Sequence, residues 1–234
     1  MVILLPGCAV SLDAQPVGGG RLVAPSDALQ YAVSLVPDVA TPSANAFQSD
    51  LESRLRAVPS TALVRGMFFN MVGDHLRRCG HGSAARSIVG AHRRIYALYP
   101  VQELLVAFGE AAPLVSPHDP SEGLRQIWSG GSRYFADTWL GKAFQRFIRP
   151  DPASALEWLE GAHDHFCNYG RWRVERVHTT RVMLHMFDEY IWIESAHRGG
   201  CEGLLRACGV DGSVDPVLDA PFRGWLDVQW KLRN

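Results

Sequence analysis

His163 and Cys167 stand at i and i+4 near the end of one expected helix, with His165 between them. At that spacing an imidazole and a thiolate share a helical face and can share a metal ion. Two ligands do not make a centre. Cys201 and Cys208, two turns apart on a later helix, or His178 and His185 on a hairpin, would have to complete it. No paired short-spaced ligand motif is present, so His163, Cys167, Cys201 and Cys208 read foremost as small core residues and polar-edge histidine. Nucleophilic chemistry has less to stand on. The chain lacks a Gly-x-Ser-x-Gly elbow, a His-Glu-x-x-His pair and a Gly-x-x-x-x-Gly-Lys phosphate loop. Ser132, Arg133 and Asp137 fall on the expected outer face of a long helix. No catalytic residue and no cofactor is assigned on this basis.

A second set of residues suits binding. Trp128, Tyr134, Phe135 and Trp139 recur along the long helix, and Met67, Phe68, Met71, Met183 and Met186 are expected to face them. Aromatic rings with adaptable thioethers can enclose an apolar pocket. The same residue types also make an ordinary core, and spacing alone does not separate the two.

Composition narrows the partners. Lys plus Arg number 23 against 24 Asp plus Glu, so there is no one-sign field to gather a phosphate backbone, and nucleic acid is not expected as a partner. The five cysteines sit within apolar or helical patterns and read as reduced thiols of a cytoplasmic protein. Residues 1–8 resemble a lipoprotein cleavage box but lack its basic start and its long apolar run. No apolar stretch reaches the roughly 20 residues of a membrane span.

The positioning elements follow from periodicity. Residues 1–46 carry five prolines and the triplet Gly18, Gly19 and Gly20, the composition of an extended or poorly ordered leader. A single α+β domain is expected over 47–234. Leu51, Leu55 and Val58 mark a first helix. Val64, Met67, Phe68, Met71, Val72, His75 and Leu76 mark a second, stopped at Gly80. A third is expected over 83–98, and a fourth through Leu104, Leu105 and Phe108. Asp119-Pro120-Ser121-Glu122 opens the long helix with an acidic cap, proline at the first position and glutamate at the third, and Gly130-Gly131 is a weak point where a kink or break is expected. Asp151-Pro152 opens another.

Beyond Gly170 strand formers take over: a hairpin of 172–177 and 182–187, a helix over 189–208, then strands near 214–218 and 225–232. The last strand alternates too loosely to say which face points inward. The predicted architecture is therefore a helical N-terminal and middle layer packed on a C-terminal antiparallel β-β-α-β-β block. Gly199, Gly200 and Gly203 each cost about 1 kcal/mol inside a helix. A close backbone approach would offset that cost, either within the chain or against a second copy.

Arg65-Gly66-Met67-Phe68-Phe69, Tyr99-Pro100, Ala111-Ala112, Gly123-Leu124-Arg125, Leu140-Gly141 and Gly199-x-x-x-Gly203-Leu204-Leu205-x-x-x-Gly209 followed by Trp230 resemble an uncharacterised paralogous family of myxobacterial proteins. The C-terminal block is also similar to the fold of haem-nitric-oxide-binding domains, 4-vinyl-reductase-type sensor domains and TRAPP vesicle-tethering subunits. That resemblance implies a haem, an aromatic molecule or a fatty acyl chain held between helices and sheet, and dimers. The haem-binding group's Tyr-x-Ser-x-Arg signature is absent. Glu194, Cys201 and Cys208 resemble the zinc-bearing sensors in residue type but not in spacing.

Together these readings predict a non-enzymatic small-molecule-binding or signalling domain. Its expected ligand is an apolar molecule or acyl chain, and the chain is expected to form a homodimer. A ligand-free interaction scaffold is the alternative, and a His/Cys metal-dependent enzyme comes third.

Overall fold

The computed structural model describes residues 42–137 and 151–231. The leader, apart from its last residues, lies outside them, as do Cys8, Trp139 and the motif Leu140-Gly141.

Seven helices and two antiparallel sheets make up the described chain: α1 (Pro42–Ala57), β1 (Leu63–Arg65), α2 (Met67–Arg78), α3 (Gly82–Val89), β2 (Leu98–Pro100), α4 (Val101–Val115), α5 (Pro120–Asp137), α6 (Pro152–Phe166), β3 (Arg171–His178), β4 (Arg181–Phe187), α7 (Arg198–Ala207), β5 (Gly212–Ala220) and β6 (Arg223–Trp230). A π turn, Ile193–His197, leads directly into α7. The fold class is mixed α+β with the sheet at the C-terminus, as the strand-former pattern predicts. The main sheet has the order β3-β4-β6-β5, with every pair antiparallel.

The central strands β4 and β6 alternate. Val182, Leu184 and Met186 of β4 and Leu226, Val228 and Trp230 of β6 are buried, which fixes the inward face of the last strand. The outer face carries charge pairs: Arg181 is bidentate to Asp227 (2.9 and 2.7 Å), and His185 meets Glu175 at 3.2 Å.

Local chemistry explains the helix starts. Asp119 accepts from the Glu122 N–H (3.1 Å), and Asp151 accepts from both the N–H and the hydroxyl of Ser154 (2.9 and 2.7 Å). These carboxylates satisfy donors that a helix N-terminus leaves open. Glu122 turns to Arg125 rather than reaching back to the cap.

Four sequence expectations are corrected. Val64 belongs to β1, not to the second helix. The chain turns at Gly66, where a side chain would overlap the Arg94 carbonyl and crowd Tyr99. The third helix ends at Val89 because Gly90 adopts φ +72°, and Leu98 pairs with Arg65 in the small sheet. Helix α5 runs unbroken through Gly130 and Gly131. These glycines admit His75 and Met71 of α2, which a Cβ at either position would strike. Residues 189–192 precede the last helix instead of forming its first turn.

Two apolar clusters result. One lies among the helices around Leu76, Leu104, Phe108, Leu124 and Ile127, and the other lies between the sheet and α6, α7, around Leu156, Leu184, Leu205 and Leu226. Helix α7 joins them by riding on α5. A Cβ at Gly199 would overlap the backbone carbonyl of Arg125, and one at Gly203 would lie 2.6 Å from that of Ser129. Close approach within the chain is thus what the glycines permit. Arg125 adds a bridge across the same seam, 2.9 and 3.0 Å to the two carboxylate oxygens of Glu202.

Candidate ligand pocket

Between the two clusters is a cavity of about 370 Å³, walled by α2, α5, α6, the β3–β4 hairpin and α7. That volume lies within the range of small-molecule sites. Of the residues the sequence offers for a pocket, Met67, Phe68 and Met71 reach it from α2, Trp128, Tyr134 and Phe135 from α5, and Met186 from β4. Met183 does not. The β4 alternation turns it to the outer face, where it pairs across to Glu175 and Asp227. Trp139 lies outside the described residues.

The wall also holds residues that the sequence reading passed over: Trp158 and Phe166 from α6, Tyr169, Trp172, Glu189 and His197. Met67 is 6% exposed, so Met67→Lys places a cation in this wall. It is expected to cost about 3 kcal/mol or more, because burial strips the ammonium of its hydration. A denaturant midpoint equal to wild type would show that this face is open to water.

One end of the cavity is polar. Glu189, 1% exposed, accepts from the Trp172 indole N–H (2.9 Å) and from the Ile191 backbone N–H (3.1 Å). His197 Nε2 lies 3.3 Å from the carboxylate. Burial alone would raise the Glu189 carboxyl. The His197 imidazole and the Trp172 and Ile191 donors outweigh burial and hold it below the ordinary value, so it stays ionised. Burial lifts the Tyr169 phenol well above its usual range, and the neighbouring Glu189 charge pushes the same way.

Backbone irregularity surrounds this cluster. Asp188 takes φ +54°, and the π turn ends on His197. Such departures collect at functional sites. They are also why a regular helix over 189–208 does not describe how Glu189 comes to face His197.

All four weak metal candidates line the cavity. His163 Nε2 lies 3.2 Å from Cys167 Sγ. Burial lowers the His163 imidazole, raises the Cys167 thiol and pushes Cys201 up to about 12. These are neutral, unreactive forms. Among the described residues no three His, Cys, Asp or Glu side chains are grouped to hold a metal ion. No described helix is long and apolar enough to cross a membrane.

The residue pattern of a family described as "Protein of unknown function (DUF2378)" matches residues 56–231. No curated protein matches the chain. Solved structures of similar fold include H-NOX domains. A point-substituted Tt H-NOX aligns at TM-score 0.60 and 11% identity over 72% of this chain and 95% of that one. An H-NOX protein from K. algicida, Fe(II) unliganded, aligns at 0.58 and 11% over 72% and 97%. An oxygen-binding H-NOX domain related to soluble guanylate cyclases aligns at 0.58 and 14% over 72% and 95%. At these identities the likeness is one of fold.

Proposed function

The chain belongs to the DUF2378 family, and from that premise we propose that it is a non-enzymatic sensor or ligand-binding domain whose cavity takes an apolar small molecule or an acyl chain. The observation that carries this reading is the position of the cavity. It lies where the helical and sheet clusters face each other, and its lining is apolar and aromatic except for the Glu189 end. An occupant there would touch α2, α5, α6, the hairpin and α7 together, which is what a domain needs if binding is to alter its shape.

Haem, which the H-NOX family of similar fold holds, is a poorer fit to these residues. Its two propionates require cations. The described lining holds neither lysine nor arginine, and it already contains the Glu189 carboxylate. The two imidazoles of the described lining also have close neighbours at Nε2, Cys167 Sγ for His163 and Glu189 for His197. Localisation in the cytoplasm is part of the proposal, consistent with the unpaired thiols among the described cysteines, and so is assembly as a homodimer.

Native mass spectrometry of the purified chain, followed by solvent extraction, tests the reading. The expected result is a mass above that of the bare sequence that returns to it after extraction. If the chain carries nothing, and neither fatty acids nor uncharged aromatics raise its melting temperature at saturating concentration, the binding reading fails.

A further inference from the structure

The homodimer proposed above requires a contact surface, and the choice of surface rests on that reading. Helices α6 and α7 and the π turn pack on the inner face of the main sheet. The outer face is left half open: Met183, Phe187 and Trp225 are half-buried, and Val217 is 39% exposed.

Both edges of this sheet are blunted. At β3 the outward N–H of Val174 is taken by the Glu160 carboxylate (2.9 Å). At β5 the bond from the Lys231 N–H to the Asp211 carbonyl (2.9 Å) sets the alternation of the ladder. That alternation turns Pro216 to the open side, where it has no N–H to offer. Such edges resist strand addition, so the outer face is the surface that remains.

Cross-strand register groups the side chains of that face in successive rows. Arg171, Phe187 and Arg223 form the first, and Arg173, His185, Trp225 and Val217 the second. Glu175, Met183, Asp227 and Asp215 form the third. One end of the face is therefore basic and the other acidic, each around an apolar centre. Arg223 and Asp227 already have partners in the chain, Asp219 and Arg181. Arg171 instead lies over the Phe187 ring, 5.1 Å from its centroid. A polyanion meets the acidic row and a polycation the basic one, so the face complements a surface like itself, turned end for end.

We propose that this face is the contact between two copies of the chain, related by a two-fold axis lying along the middle row. Rotation about that line sets Arg171 opposite Glu175 of the second copy, Arg223 opposite Asp227 and Phe187 opposite Met183, and each contact occurs twice. Ring and thioether attract, and Trp225 stacks on its own mate. Arg173 sits on the axis at the exposed rim, where solvent screens it from its mate. Four strands make a face of roughly 15 Å by 20 Å, small for a permanent contact, so the dimer is expected to be reversible, with Kd in about the micromolar range.

Sedimentation velocity of the full chain, from about 1 μM to about 300 μM, tests this. A monomer–dimer equilibrium is expected. Arg171→Glu and Glu175→Arg should each weaken it at least about tenfold, because one reversal spoils two symmetric contacts. The double variant, Arg171→Glu with Glu175→Arg, restores opposite charges and should return the affinity to within about threefold of wild type. Both side chains are exposed, so the fold tolerates these changes. A dimer indifferent to Arg171→Glu, or one that the double variant does not restore, overturns this surface and leaves the homodimer reading intact. A chain that stays monomeric throughout overturns both and leaves the face to a different partner.

Discussion

Replacing Gly203 with leucine is expected to abolish cooperative unfolding, and replacing Gly199 with alanine is expected to lower the melting temperature even though alanine is the better helix former. At Gly199 a methyl group gains up to about 1 kcal/mol of helix propensity. It does so only by overlapping the Arg125 carbonyl, which belongs to the backbone of α5 and cannot rotate aside. Overpacking of this kind typically costs about 1–3 kcal/mol beyond what relaxation recovers. For a chain of this length that is a fall of roughly 2–10 °C. Leucine at Gly203 must pass both the Ser129 carbonyl and the Ser132 hydroxyl, which lie 2.6 and 2.9 Å from the position of its first carbon alone. Helix α7 then has to leave α5, taking with it the Arg125 bridge to Glu202 and one wall of the cavity. Thermal melts by circular dichroism with parallel light scattering distinguish this from a subunit contact. If Gly199→Ala keeps its melting temperature while the particle mass halves, the glycines serve assembly and not the α5–α7 seam.

The second large effect is expected at Glu189. Glu189→Ala leaves the Trp172 indole, the Ile191 amide and His197 facing a void, and should cost about 3–5 kcal/mol. Its pH dependence has a definite sign. The folded carboxyl titrates below its ordinary value of 4.5. Its contribution is therefore fully present above pH 4.5 and is lost as pH falls through the lowered folded value. Glu189→Gln keeps the shape and one acceptor but removes the charge. Its stability should therefore fall less steeply than that of the wild type across the acid limb, while lying below it at neutral pH. Urea midpoints measured from pH 7 down to pH 3 test this directly. Parallel curves for the two proteins would mean that Glu189 is not held ionised by its neighbours.

How much of this was legible in the residues differs by element. The β-β-α-β-β ending could be read because Val182, Leu184 and Met186 alternate with polar neighbours, and α5 because Asp119-Pro120 states its own beginning. Period and capping are local signals. The long α2 stripe was legible in its buried positions but not in its start, because Val64 continues the apolar period into a strand that only tertiary pairing defines. Gly130-Gly131 illustrates the reverse case. Propensity predicts a break, yet contact with His75 and Met71 makes small residues a requirement of an intact helix.

The candidate site was half legible. Met67, Met71, Trp128 and Met186 lie on predictable faces. Glu189 and His197 meet through a left-handed residue and a π turn, neither of which leaves a periodic trace. Trp172 looked like any strand aromatic until the fold supplied Glu189 as its acceptor. Met183 was the opposite error, a residue of the right type one position out of phase with the inward face.

The π turn has a further consequence for how this gene can vary. A π turn carries one residue more than the α-helical turn it replaces. Loss of a single codon within 193–196 would therefore let the segment revert to regular helix. Each residue rotates a helix by about 100°, so Trp192 and the stretch leading back to Glu189 would swing by that angle relative to α7. Glu189 would no longer face His197. A one-residue deletion here would thus dismantle the polar end of the cavity without replacing any side chain in it, so chains that keep this arrangement must keep the length of that segment as strictly as its residues.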